Sequence, residues 1–122
     1  MNKRPEANPV VCARFHHAIE LVGRRWAGAI VFVLLRSRAR FATLREAIPD
    51  ITDRMLSERL RELEQEGIVL RTVVPEIPVK VEYSLTKKGR ALAAAIDAMV
   101  EWAHRFVDEE PVPEPKKARR RA

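Results

Sequence analysis

The chain has one cysteine, one tyrosine and four glycines in 122 residues, and each scarcity removes a class of function. Cys12 has no second thiol to pair with, so no disulfide can form within one chain, and a reducing compartment is expected. Gly23, Gly28, Gly67 and Gly89 all fall at the ends or inside helical stretches, so no glycine-rich loop is available to cradle a phosphate, and no nucleophile elbow surrounds any serine. His16, His17 and His104 make no full metal-ligand set, and a metal-responsive pair of Cys12 with His16, four apart on one helix face, is the remaining alternative. No catalytic constellation assembles, and the chain is expected to be no enzyme and to need no metal or cofactor. Long apolar runs are missing too. Trp26 to Leu35 is the longest, and at ten residues it is too short to cross a bilayer, which takes roughly 20. The first nine residues are polar and carry Pro5 and Pro9, unlike a secretory signal. A cytoplasmic location with no membrane partner is the expectation, with nucleoid association following from any DNA binding.

What the sequence does have is charge. Lys and Arg number 23 against 17 acids, for a formal net charge of +6. The excess is local: residues 115–122 hold five basic side chains and no acid, leaving 18 basic and 17 acidic groups in residues 1–114. The body is nearly neutral, so composition alone does not prescribe an anionic partner.

Periodicity gives the architecture. Residues 1–9 read as a flexible arm, 10–108 as one folded domain, and 109–122 as a disordered basic tail. Val11, Phe15, Ala18, Ile19 and Val22 recur at helical spacing, and Gly23 ends that helix or bends it sharply. A second helix over 24–36 is apolar almost all round and belongs at the domain centre. Ser37 to Arg40 is a basic connection, and a two-turn helix over 42–48 stops at Pro49-Asp50. Thr52 is suited to cap the next helix, Asp53 suits its positive dipole end, and Gly67 suits its left-handed close. Strands over 68–74 and 80–85 follow, the second alternating Val81, Tyr83 and Leu85 with Lys80, Glu82 and Ser84. Thr86 then opens one long helix to about Val107. This order, mainly α with a small β-hairpin, predicts a winged helix-turn-helix.

Within it, Leu56, Leu60 and Leu63 form the core stripe of the helix at 52–66, and Arg54, Ser57, Glu58, Arg61 and Gln65 lie opposite. Arginine can grip a guanine edge, glutamine can pair with adenine and glutamate can accept from cytosine. The N-terminal part of such a helix enters the major groove, which favours Thr52, Arg54, Ser57 and Glu58 over Gln65. The same helix is acidic in total, so phosphate attraction must come from Arg36, Arg38, Arg40 and Arg45 before it and from Arg71 and Lys80 on the wing strands. In this part of the sequence, Glu46 is the only acid near the arginine cluster.

An ordered series of motifs resembles the HxlR-type winged helix-turn-helix regulators, relatives of the MarR group. It runs from Cys12 through Leu21-Val22-Gly23-Arg24-Arg25-Trp26, Phe41-Ala42-Thr43-Leu44, Pro49-Asp50-Ile51-Thr52 and Arg54-Met55-Leu56-Ser57-Glu58-Arg59-Leu60 to Val81-Glu82-Tyr83-Ser84-Leu85-Thr86 and Gly89. The resemblance implies a homodimeric repressor on a palindromic, inverted-repeat operator in double-stranded DNA. The helix at 52–66 would sit in the major groove and the wing at 68–85 on the backbone or minor groove. Many relatives have Gly-Lys before the tryptophan and two prolines before the basic wing residue; this chain has Arg24-Arg25 and Pro78-Val79. The resemblance also implies a redox role for Cys12, since several members sense quinones or oxidants through a cysteine here, often by a disulfide between subunits. Arg14 and a helix start place positive charge beside the sulfur. The competing reading is a small buried hydrophobe.

The last helix carries more apolar surface than one domain face needs. Leu92, Ile96, Met99, Ala103 and Phe106 make one seam at heptad-like steps, and Ala91, Ala95, Ala98 and Trp102 a second strip. Phe15, Leu92, Ile96, Met99, Trp102 and Phe106 are therefore the expected dimer interface. A rival reading from another class is a winged-helix module that binds a partner protein through its acidic helix without specific DNA binding.

Overall fold

The computed structural model describes residues 9–108, so the expected tail over 109–122 and all but the last residue of the expected N-terminal arm lie outside them. The elements run α1 (Ala13–Gly23), α2 (Ala27–Arg36), α3 (Phe41–Ala47), α4 (Asp53–Gln65), β1 (Val69–Val74), β2 (Lys80–Leu85), α5 (Lys87–Arg90) and α6 (Ala93–Phe106). Helix α2 lies at the centre as its composition requires, burying Ala27, Ile30, Val31 and Leu34. Leu44 of α3 and Leu56, Leu60 and Leu63 of α4 close on it. The α3–turn–α4 unit is the helix-turn-helix. Asp50 in its turn has φ 71°, a conformation that aspartate tolerates better than most residues.

The wing is an antiparallel pair in which Val69 faces Leu85 and Val74 faces Lys80. Its base is buried through Ile68, Val69 and Leu85, while its far end, around Ile77, stands in solvent. Ile77-Pro78 is a cis peptide bond. A third short stretch joins β2: Ala39 and Tyr83 exchange backbone hydrogen bonds at 2.8 and 3.0 Å. The basic connection after α2 is thus partly strand-like and pinned to the wing. With β1 on one edge and Ala39 on the other, β2 is half-buried on both faces, and the expected in–out alternation is muted.

The expected single helix after Thr86 is divided. Thr86 caps α5 by accepting from Gly89 N at 3.0 Å, and Leu92 N then reaches back to Gly89 O at 3.0 Å, a tight turn before α6 begins. Position 89 requires glycine, because a Cβ there would overlap the carbonyl oxygen of Ile68 and press on Leu85.

Two features bear on assembly. Helix α1 has no buried residue, and only Leu21 and Val22 at its end are packed against the core. Ile96 of α6 is 6% exposed and serves the protomer core rather than the outer strip expected of it, while Leu92, just before α6, is partly buried against the same core. Phe15, Met99, Trp102 and Phe106 remain open.

Candidate nucleic-acid interface

Helix α4 begins as its sequence dictates. The Thr52 side chain accepts from Met55 N at 3.1 Å, and Asp53 lies in the first turn. The helix ends at Gly67, φ 80°, where Ile68 N returns to Leu63 O at 2.9 Å. With Leu56, Leu60 and Leu63 turned inward, Thr52, Arg54, Ser57 and Arg61 are exposed and Glu58 is half-exposed. These residues form one outward face. Arg54 and Glu58 are ion-paired at 3.6 Å, whereas Arg61 has no ion pair among the described residues. The face offers donors and acceptors of the kinds that read base edges.

The arginines before α4 are less free than their sequence neighbours suggest. Arg45 is held by Asp53 at 2.9 Å and Arg38 by Glu82 at 3.6 Å, so the fold brings in two acids beyond Glu46. Arg40 keeps no ion-pair partner among the described residues. Arg38, Ala39, Arg40, Thr43 and Glu82 line an open cleft of about 300 Å³ between the α2–α3 connection and the wing. Two guanidinium groups beside a hydroxyl suit a phosphate oxygen. Thr43 and Glu82 were not singled out from sequence, because only the Ala39–Tyr83 pairing brings the connection and β2 together.

The wing cations are not brought together. Arg71 is opposite Tyr83, and Lys80 is opposite Val74, so by strand alternation they occupy different faces of the hairpin. Lys80 shares its face with Glu82, beside the cleft, and is bridged to Glu76 at 3.0 Å. Cys12, at the start of α1, is exposed and free, and its Sγ accepts from Phe15 N at 3.3 Å. Within the protomer it is not a packed core residue. Among the described residues, no group of three or more His, Cys, Asp and Glu side chains could hold a metal, and no helix is long and apolar enough to cross a membrane.

A helix-turn-helix with a polar second helix, flanked by a wing and a cationic cleft, defines a winged-helix nucleic-acid-binding protein. Residues 21–111 match the model of the HxlR-like helix-turn-helix family, and the chain belongs to that family. Two proteins of Bacillus subtilis (strain 168) are similar over 98 residues each: the HTH-type transcriptional regulators YvaP, 47% identical with 80% of this chain and 91% of the relative covered, and YodB, 48% identical with 80% and 88% covered. The reduced form of YodB superposes with a TM-score of 0.72 at 46% identity, covering 84% of this chain and all of that one. The redox regulator HypR in its oxidized form gives 0.75 at 38% identity, covering 80% of this chain and all of that one. Family and fold together identify a helix-turn-helix transcriptional regulator, as the motif series implied.

Proposed function

We propose that the protein works as a homodimer that reads an inverted-repeat operator in double-stranded DNA and represses the adjoining gene, with Cys12 as its redox-responsive group. The observation that carries the reading is the outward face of α4, where Thr52, Arg54, Ser57, Glu58 and Arg61 are open to solvent, in a protomer that also has the Arg38–Arg40 cleft against its wing. Arg54 and Arg61 make base contacts, while Arg38, Arg40, Arg71 and Lys80 supply phosphate contacts that fix register. Support for the dimer comes from the open apolar side chains of Phe15 on α1 and of Met99, Trp102 and Phe106 on α6. A lone protomer leaves this surface to water. Support for the redox role comes from the exposed thiol of Cys12, three residues from Phe15 on the same helix start, and from the likeness to YodB and HypR. An oxidant or thiol-reactive electrophile is the corresponding effector. The protein acts without enzymatic chemistry and in the cytoplasm.

The test is a selection from random duplex DNA, run with reductant and again after diamide. Recovery of a palindromic motif by the reduced protein, lost on oxidation and retained by Cys12→Ser, is the expected result. Binding that is weak, salt-labile and blind to sequence in both states contradicts the operator reading. A motif that survives oxidation of the wild type contradicts the redox role alone.

A further inference from the structure

One charged side chain among the described residues is buried, and it lies on α4. Arg59 is 8% exposed. It faces away from the outward surface: its Nε donates to the backbone carbonyl of Arg25 at 2.9 Å, and its Nη1 lies 3.2 Å from Glu62 Oε1. Glu62 also takes Arg24, with Nε–Oε1 at 3.0 Å and Nη2–Oε2 at 3.3 Å. One turn on, Glu66 meets His17 Nε2 of α1 at 3.1 Å, and its backbone carbonyl accepts from Lys88 Nζ at 2.7 Å. The rear of α4 is thereby tied to α1 and to the turn between α1 and α2. That turn holds Trp26 at φ 76°, a left-handed conformation unfavourable for a tryptophan, with the Arg25 guanidinium over its ring at 4.8 Å.

Net stability is a poor reason for this arrangement. A leucine or methionine at position 59 would extend the stripe of Leu56, Leu60 and Leu63 without desolvating a cation, and apolar replacement of buried ion pairs is often neutral or stabilising. A guanidinium offers instead a rigid fork with several donors, which fixes direction as well as distance. Direction matters here because α1 has no buried residue, so packing alone does little to set its angle to α4.

We propose that Arg59, seconded by Glu62, is a positioning residue for operator binding: it fixes α4 against the α1–α2 turn and so sets the separation of the two recognition helices. The proposal rests on the homodimer reading, in which α1 meets the partner subunit and half-sites lie about 34–36 Å apart. Arg59 touches no DNA; it acts through the orientation of α4.

The experiment uses the full chain and duplexes carrying the selected motif: one at native spacing, others with one or two base pairs inserted or removed, and a single half-site. Arg59→Met and Glu62→Gln are compared with wild type. Glu62 is partly exposed, so Glu62→Gln keeps the fold if Arg59→Met does not, and the same outcomes then apply to it alone. Both variants are expected to lose about 3- to 30-fold in affinity at native spacing, the range typical of residues that couple sites without touching ligand. They bind the single half-site as wild type does, pay a smaller penalty for altered spacing, and keep the wild-type salt slope. A spacing preference unchanged in both variants overturns the proposal, as does an equal loss on the single half-site. A slope reduced by about one also overturns it, because Arg59 would then be contacting phosphate. A wild-type protein indifferent to spacing overturns the homodimer reading and this proposal together; a selective wild type with equally selective variants overturns the proposal alone.

Discussion

Trp102→Ala is expected to weaken self-association without disturbing the protomer. Trp102 is 55% exposed, and its ring lies 5.7 Å from that of Phe106 between centroids. Given a tryptophan surface of roughly 250 Å², the open part amounts to about 140 Å², worth ~3.5 kcal/mol at ~25 cal/mol per Å² if wholly covered. Two-fold symmetry presents this surface twice. Alanine retains its Cβ and interface coverage is incomplete, so about 3 kcal/mol per dimer is the working figure, or roughly a hundredfold in dissociation constant. Sedimentation velocity across a concentration series reads that shift directly, while circular dichroism and the melting temperature of the isolated protomer stay near wild type. If wild type is monomeric throughout, or the variant dimerises as tightly, the exposed α6 strip is not the interface.

Three further outcomes follow from contacts inside the protomer. Gly89→Ala places a methyl group against the Ile68 carbonyl and Leu85, and is expected to cost about 1–3 kcal/mol in urea unfolding. Thr52→Ala removes the cap of α4 and costs about 1 kcal/mol, with Thr52→Ser recovering most of it; equal stability of all three proteins refutes the capping role. Leu60→Ala, at a fully enclosed site between α4 and the core, costs about 2–5 kcal/mol by the same unfolding measurement.

Local chemistry was legible in the sequence where it alone decides structure. The Thr52 cap, the Gly67 close and the bounds of β2 come from side chains acting within a few residues of themselves, and the structure has them as read. Features that depend on distant neighbours were not legible. Position 89 must be glycine because Ile68 passes beneath it, and Ala39 becomes strand-like only because Tyr83 lies beside it. Helix α6 and its cap carry apolar residues on two strips, and periodicity cannot say where each residue turns inward; Ile96 packs into the protomer core and Leu92 against it, while Met99 and Phe106 stay open. Arg45 and Arg38 read as free cations until Asp53 and Glu82 arrive from other elements. Arg59 had a signal that could have found it. Its position three after Leu56 and four before Leu63 puts it on the buried stripe, where an arginine must have partners.

The division of labour across the interface is tested most directly by the salt dependence of binding to the selected duplex, measured for wild type, Arg61→Ala and Arg40→Ala with point-substituted sites alongside. Arg61→Ala is predicted to lose about 1–3 kcal/mol, chiefly through relaxed discrimination at one base pair, with the salt slope nearly kept. Arg40→Ala is predicted to bind all sequences more weakly to a similar degree, with the slope lower by about one. The reverse pattern, or wild-type behaviour from both variants, would contradict base reading by α4 and phosphate contact by the cleft.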